Sequence, residues 1–219
     1  MKLLAIDTAG VDCSAAVLDA STDVVLASTT DRIGKGHAER LMAMIEDVLS
    51  SAGLVLSDLD RVAVTVGPGS FTGIRVGVAA ARGLALALKV PSVGVSTLEV
   101  SAKSALRDHP GQAVIAAMDA KRDEIYAQAF GADGSQLTPP AIVSLEDLRQ
   151  LAERHAARVT GTAAALLAGG LPAGEPDRFD IATVARIGAQ ANPDVARPKP
   201  LYLRGPDAKP QDGFALARA

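Results

Sequence analysis

The chain has 219 residues, enough to bury one large hydrophobic core or two small ones. Hydrophobic residues make up 48% of it and aromatic residues only 3%, so the interior must be built from alanine, valine, leucine and isoleucine, which favours α/β layers. The net charge of -3 gives no overall basic footprint for nucleic acid, although a local basic patch is compatible with it. The single cysteine, Cys13, excludes an internal disulfide and fits a reducing compartment.

The apolar runs of the chain are short. The first one meets Asp7 after four apolar residues, which is too early for the apolar region of a signal peptide. No later run reaches the length of a membrane span without an interrupting charge, glycine or proline. We therefore expect a cytoplasmic protein with no membrane association.

The first half of the chain alternates short apolar runs with turns. This pattern predicts three strands joined as an antiparallel meander, followed by an amphipathic helix that ends at Gly53. Two strand–helix pairs then complete the order βββαβαβα. The predicted strands are Leu3–Ile6, Cys13–Leu18, Val24–Ser28, Val62–Val66 and Val90–Val95, and the predicted helices are His37–Ala52, Gly73–Leu88 and Thr97–Leu106.

The turn-forming residues 107–111 predict a boundary between two halves. The second half again begins with a strand that ends in an aspartate, so that LLAID in the first half corresponds to IAAMD in the second. We expect two units, residues 1–107 and 108–219, the second with a proline-rich extended tail. Its predicted elements are strands Ala113–Met118, Glu124–Phe130, Gln136–Val143 and Val159–Thr162 and helices Leu145–Arg154 and Ile181–Ala191.

Asp7 and Asp119 stand at the ends of the first strands of the two halves. This weak duplication suggests two ribonuclease-H-like domains, with mixed sheets flanked by helices and a nucleotide cleft between them. Carboxylates at strand ends suit a hydrated Mg²⁺ beside phosphates, because Mg²⁺ keeps waters and takes few carboxylates. An aspartate that ends a strand is also a common turn residue, so a purely structural role stays open.

A glycine-rich turn joins the fourth predicted strand to the second predicted helix. Unpaired amides at a helix N-terminus bind anions, so Gly67, Gly69 and Ser70 are candidates for a phosphate cradle. The turn matches neither familiar fingerprint, because a P-loop ends in GK[ST] and a dinucleotide loop reads GxGxxG. The alternative is a tight turn in which Ser70 or Thr72 caps the helix.

The second predicted helix is apolar nearly all round, with Arg75 and Arg82 as its only charges. Gly73, Gly77 and Ala81 recur at every fourth position and form a groove without side chains. A glycine inside a helix costs roughly 1 kcal/mol relative to alanine, which is tolerable where another backbone comes close. That backbone belongs either to the domain's own sheet or to a partner subunit. In the second case Gly77→Leu would leave the chain folded and block pairing.

The two arginines of this helix have two interpretations. A guanidinium is suited to planar recognition of an anion or of a partner's carboxylate. The alternative is a solvated face, which fits Arg82 better than Arg75, because Arg75 lies in the first turn beside the glycine loop.

The residues that ligate metals are scattered. The histidines stand at positions 37, 109 and 155, and Cys13 has no neighbour of ligand type. His37 begins a helix, but Leu41 occupies the i+4 position where a second ligand would share its face. A zinc or iron site needs three or four convergent ligands, so no metal site is expected. Ser70 lies outside a GxSxG elbow, and we assign no catalytic residue.

Five segments, in order over nearly the whole chain, carry a resemblance to a known family. They are LLAIDTA at the start, HAERL from His37, VGPGSFTGIRVG from Val66, MDAKRDEIY from Met118 and PLYLR from Pro200. Together they resemble the bacterial TsaB (YeaZ) family. The resemblance implies the ASKHA (actin-like ATPase) fold, built from two ribonuclease-H-like domains. It also implies a part in making threonylcarbamoyladenosine in tRNAs that read ANN codons.

The same resemblance implies a noncatalytic accessory subunit. The catalytic relative TsaD carries an HxxxH metal motif at the helix that matches His37, and this chain has Leu41 at the second histidine. The family implies a homodimer, pairing with TsaD through the first domain, and the ATPase TsaE in the assembly, with tRNA contacted only indirectly. This chain would require no cofactor of its own, although ATP or ADP with Mg²⁺ at the complex interface fits the family.

The resemblance therefore favours docking through the two helices of the first domain, and it leaves Asp7, Gly67, Gly69 and Ser70 as a vestigial nucleotide cleft. The alternative is a nucleotide-dependent ATPase or phosphotransferase that uses Asp7 and the glycine-rich turn. A third label, metallo-glycoprotease, is disfavoured by the missing ligands. Some apolar residues of the first helix must face the sheet instead, and the sequence does not divide them. The expected interface residues are His37, Leu41, Met44, Ile45, Val48, Gly73, Arg75, Gly77 and Ala81.

Overall fold

The computed structural model describes residues 1–170 and 176–204. In these residues two β-sheets are flanked by helices, and parallel and antiparallel strand pairs occur in both sheets. The predicted fold class, an α/β protein with mixed sheets, is confirmed. Residues 171–175 and 205–219, which include part of a predicted loop and the end of the predicted tail, lie outside the described residues.

The first sheet has five strands in the order β3-β2-β1-β4-β5. They are β1 (Lys2–Asp7), β2 (Asp12–Asp19), β3 (Val24–Arg32), β4 (Arg61–Gly67) and β5 (Ser92–Ser96). The first three form the predicted antiparallel meander, and β4 and β5 extend the sheet in parallel with β1. Parallel strands need crossover connections, and helices supply them here.

Three helices follow in the first half: α1 (His37–Ser51), α2 (Phe71–Leu88) and α3 (Thr97–Asp108). The apolar residues of α1 recur at one-turn spacing, and those that face inward are buried, as expected for an amphipathic helix on a sheet. α2 packs on β4, and α1 packs on β2 and β3 and touches α2. The two helices thus lie side by side on the first sheet.

The second sheet has four strands in the order β8-β7-β6-β9. They are β6 (Val114–Asp119), β7 (Ile125–Phe130), β8 (Ala141–Val143) and β9 (Arg158–Thr160). The strand predicted over residues 136–143 is shorter than expected, since only its end is a strand and Gln136 makes a single bridge to Phe130. Pro139 and Pro140 interrupt it, because proline has no amide to donate to the neighbouring strand.

Two short helices accompany the second sheet, α4 (Leu145–His155) and α5 (Ala164–Leu167). α4 begins at a capping box, in which the Ser144 hydroxyl accepts from the Asp147 amide and the Asp147 carboxylate accepts from the Ser144 amide. This is the cap that the sequence predicts. α5 was not predicted.

The last helix, α6 (Ile181–Gln190), packs on the first sheet. A Cβ on Gly188 would lie 2.3 Å from that of Ala63, while a Cβ on Gly77 of α2 would lie 3.2 Å from Val64. Adjacent residues of a strand point to opposite faces, so α6 covers the face opposite α1 and α2. The boundary near residue 107 stays a prediction, and the contacts of residues 181–190 lie with the first unit.

Residues 192–204, the C-terminal segment, run along the first sheet and then reach the second. Ala196 accepts from the amide of Gly94 on β5 at 2.7 Å, and Leu201 donates to the carbonyl of Val66 on β4 at 2.8 Å. The Arg204 guanidinium then binds the Glu124 carboxylate and donates to the carbonyl of Ala120 at 3.1 Å. This segment therefore links the two sheets.

Candidate functional site

The carboxyl end of β1 carries a fully buried acid, Asp7. Its Oδ1 accepts from the Thr65 hydroxyl at 2.6 Å and from the Ala9 amide at 3.0 Å, whereas Oδ2 has no hydrogen-bond partner among the described residues. Burial, with a smaller contribution from the charge of Asp12, raises the pKa of Asp7 to about 6 against the opposing effect of these hydrogen bonds. The surroundings of this carboxyl therefore favour its protonated form.

The glycine-rich turn lies directly against the end of β1. A Cβ on Gly69 would come within 2.4 Å of the Ala9 carbonyl oxygen, which accepts from the Ser70 amide at 2.7 Å. The Ser70 hydroxyl accepts from the Gly73 amide at 3.2 Å and so caps α2, as the structural alternative predicts. Gly67 has φ +98°, a conformation that favours glycine. Gly69 and Ser70 thus lie against Ala9, whose amide binds Asp7, and nucleotide binding by Asp7, Gly67, Gly69 and Ser70 stays a prediction.

The matching acid of the second sheet, Asp119, is held by its own turn. Its carboxylate accepts from the amide and the ammonium of Lys121, at 2.8 and 2.7 Å. Burial acts to raise the pKa of Asp119, but these bonds outweigh it and the pKa is lowered. Residues 121–124 form the turn between β6 and β7, and Asp119 acts as a turn residue.

A short segment before α6 contacts both strand ends. Asp177 accepts from the Thr162 hydroxyl at 3.0 Å, and Thr162 also accepts from the Asp119 amide at 3.0 Å. The neighbouring Arg178 forms an ion pair with buried Asp12 at 2.6 Å. A Cβ on Gly10 would clash with the carbonyl of Asp177 at 2.7 Å. The chain itself thus occupies space between the ends of β1 and β6.

The predicted interface residues of α1 are buried inside this chain. Leu41, Met44, Ile45 and Val48 are all at most 2% exposed and belong to the hydrophobic core. His37 is also buried, with Nε2 3.1 Å from the Asp12 carbonyl oxygen. Their assignment to a partner interface is therefore corrected, because the apolar stripe of the helix faces the sheet and leaves nothing of these side chains to dock.

The small residues of α2 require the same correction. A Cβ on Gly73 would lie 2.0 Å from the Thr8 carbonyl oxygen, and one on Gly77 would lie 2.4 Å from the Thr8 hydroxyl oxygen. The Thr8 hydroxyl donates to the Gly73 carbonyl at 2.7 Å. Ala81 is fully buried. The groove therefore receives the backbone of β1 and its turn, which is the intramolecular alternative that the sequence left open.

The surface that α2 does expose lies on its other side. Ala79, Gly83 and Leu86 are exposed, with Leu86 at 82%, and we call these three residues the outer face of α2. Sequence reasoning missed them because an apolar helix offers no polar side to mark its free face. The spacing of Arg75 and Arg82 could have identified this exposed face, since residues 75, 79, 82, 83 and 86 follow one side of a helix. Arg75 is exposed, and its place at a partner interface stays a prediction.

Metal-ligating groups do not converge. No group of three or more His, Cys, Asp or Glu side chains that could hold a metal ion occurs within residues 1–170 and 176–204. Burial, with the charges of Asp7 and Asp31 acting in the same direction, raises the pKa of the Cys13 thiol to about 11, so the thiol is protonated at neutral pH. Ser70 is engaged as a helix cap.

Two mixed sheets, each with a first strand that ends in an aspartate, match the α/β architecture expected for the actin-like ASKHA class. A model of the family described as TsaD, tRNA N6-adenosine threonylcarbamoyltransferase, matches residues 27–175. A solved structure from Pseudomonas aeruginosa, described as an uncharacterized protein with similarity to peptidase YEAZ, has a TM-score of 0.74 and 29% identity over 93% of this chain and 99% of its own. YeaZ from Pseudomonas aeruginosa has a TM-score of 0.59 and 37% identity over 66% and 68% of the two chains. The chain belongs to the TsaB (YeaZ) family.

Curated relatives agree with this assignment. The tRNA threonylcarbamoyladenosine biosynthesis protein TsaB of Escherichia coli is 38% identical over 61% of this chain and 56% of its own length. An uncharacterized protein of Mycobacterium tuberculosis is 36% identical over 95% of this chain and 94% of its own. The chain spans just over half the length of the TsaB relatives that it matches most strongly.

Proposed function

We propose that this chain is a noncatalytic subunit of threonylcarbamoyladenosine biosynthesis. It pairs with a TsaD-type enzyme and supports transfer of the threonylcarbamoyl group to the adenosine next to the anticodon of ANN-reading tRNAs. The pathway is taken from the names of the TsaB relatives. The pairing is inferred from one observation on this chain, the uncovered apolar face of α2.

α2 is unusually apolar for a helix at a surface. By length and composition it is the one helix of the described residues that could cross a membrane, and only 33% of it is buried. Its inner face packs on β4, so we assign the exposed remainder to a protein partner. Ala79 and Gly83 present little side chain, and nothing lies within 4 Å of a Cβ on Gly83, so a partner helix could approach closely. Met42 of the neighbouring α1 is also exposed, at 44%.

The outer face of α2 is also the basis of the order of assembly that we propose. Two copies of this chain pair through α2 when no partner is present, and TsaD displaces one copy because a single face serves both contacts. TsaE, the ATPase, joins the resulting pair. A role without turnover is supported by Leu41, which is buried where a second metal ligand would stand.

We expect the double variant Ala79→Glu/Leu86→Glu to fold normally and to lose pairing. Burying two uncompensated carboxylates in an interface weakens binding by at least roughly 100-fold. Copurification with tagged TsaD from the same organism measures pairing with TsaD, and size-exclusion chromatography measures the homodimer. The matched control is Val55→Glu/Leu137→Glu, two exposed apolar residues elsewhere. Unchanged pairing in the first variant would rule out the outer face of α2.

We expect no ATP turnover by the isolated chain. Calorimetry with ATP and Mg²⁺ and a phosphate-release assay measure binding and hydrolysis. The alternative function, an ATPase or phosphotransferase, requires tight binding and hydrolysis that Asp7→Ala abolishes. That result would contradict a noncatalytic role, but it would not change the interpretation of a loss of pairing in the previous experiment.

A further inference from the structure

The cations of α2 lie against the C-terminal segment and form a basic surface on a chain of negative net charge. Arg82, Arg197 and Lys199 line one open cavity of about 660 Å³, in which Asp194 is the only acid. Within the described part of the chain, these three cations have no ion pair or hydrogen bond. Unpaired cations gathered on an exposed surface suit a polyanion.

Aromatic rings continue this surface at the start of α2. The Arg75 guanidinium lies 3.7 Å from the centre of the Phe71 ring and donates to the Tyr202 hydroxyl at 2.8 Å. The two rings are 5.5 Å apart, and Phe71 and Tyr202 are 56% and 46% exposed. The chain has only four phenylalanines and two tyrosines, so a pair of rings that faces solvent takes aromatic side chains away from a core that has few of them. The pairing also accounts for the PLYLR segment, which the proposed function leaves unused.

We propose that this basic–aromatic surface binds RNA directly. It consists of Phe71, Arg75, Arg82, Arg197, Lys199 and Tyr202. The three free cations would neutralise backbone phosphates, and an unstacked base would lie on the rings beside Arg75, a combination typical of single-stranded and loop RNA. The choice of tRNA rests on the proposed function. The sequence predicts only indirect contact with tRNA, and this surface departs from that prediction.

The position of the surface fits a subunit that presents a substrate. Arg75 and Arg82 follow the same side of α2 as Ala79, Gly83 and Leu86, so RNA bound by them and a protein docked on the outer face would share that side of the helix. An acidic protein segment could also pair with the cations, but it would leave the exposed rings without an occupant. The rings therefore favour RNA.

The test is binding of a fluorescein-labelled tRNA transcript to the full chain, measured by anisotropy between 50 and 200 mM salt. Arg82→Gln/Arg197→Gln is expected to weaken binding roughly tenfold at 50 mM salt and to reduce the slope of log affinity against log salt by about 2. The matched control, Arg149→Gln/Arg154→Gln on α4, removes the same charge from the second sheet and should behave as the parent chain. Equal loss in both variants would overturn the proposal.

The rings are tested separately. Tyr202→Leu is expected to weaken tRNA binding at least roughly fivefold through lost stacking, while Tyr202→Phe retains it. Heparin and duplex DNA serve as competitors, and if either competes as well as unlabelled tRNA, the surface recognises polyanions in general and the RNA proposal fails. Thermal melting confirms that each variant folds. Copurification with TsaD is measured on the same variants, so loss of RNA binding with pairing intact separates this proposal from the proposed function.

Discussion

Replacing Gly77 by alanine is expected to lower the free energy of unfolding by about 2 kcal/mol, whereas the same change at Gly83 raises it by up to about 1 kcal/mol. Both residues lie inside α2, so helix propensity favours alanine equally at the two positions. The difference comes from packing, since a Cβ at Gly77 meets the Thr8 hydroxyl at 2.4 Å and one at Gly83 meets nothing within 4 Å. Urea unfolding followed by circular dichroism measures both values.

Gly77→Leu extends this comparison. The groove interpretation of the sequence predicts a folded chain that fails to pair, and the structure predicts a chain that fails to fold, because the side chain would enter the space of Thr8 and Val64. A Gly77→Leu variant with parental stability and no pairing would restore the groove as a docking site. Insoluble or unfolded protein, with Gly83→Ala intact, would confirm that β1 and its turn fill the groove.

Substituting Asp7 by asparagine is expected to remove a pH dependence of about 3 kcal/mol from the stability of the chain. Burial raises the pKa of Asp7 from 3.8 to about 6, so the folded chain retains a proton that the unfolded chain releases between these values. The stabilisation is complete below about pH 4 and is lost as pH rises through 6. The advantage of Asp7→Asn over the parent should therefore grow by about 3 kcal/mol from pH 4 to pH 7.

Urea unfolding at several pH values measures this effect, and Asp194→Asn, an exposed acid, serves as the control that should leave the profile unchanged. Mg²⁺ adds a decisive comparison. If Mg²⁺ stabilises the parent at pH 7 and not the Asp7→Asn variant, a cation occupies the end of β1. That outcome would favour the nucleotide-dependent alternative over a vestigial cleft.

Local patterns in the sequence were sufficient for most elements. The apolar spacing of Leu41, Met44 and Ile45 identifies α1, and Ser144 with Asp147 identifies the start of α4. The direction in which α2 faces left one signal in the sequence, the shared side of Arg75 and Arg82, but the other sides of this helix are all apolar. The close approach of Thr8 to Gly73 and Gly77 shows which side enters the core.

Contacts between distant residues account for the rest. Arg178 reaches Asp12 across 166 residues, and Arg75 reaches Tyr202 across 127. Neither pair has a spacing that a helix or strand imposes, so the closing of the space beside Asp7 and the basic–aromatic surface are visible only once the chain is folded. The two strand-end aspartates were predicted together, and the structure then gives them different surroundings.

The return of α6 to the first sheet has a consequence for biosynthesis of the chain. Gly188 lies against Ala63, Leu3 and Val93, so three strands of that sheet keep an apolar face open until residues 181–190 have been synthesised. The first sheet therefore cannot complete its core until residues 181–190 have left the ribosome. A premature stop codon before residue 181 would release a sheet with one bare side, which is a substrate for chaperones and proteases rather than a smaller working subunit.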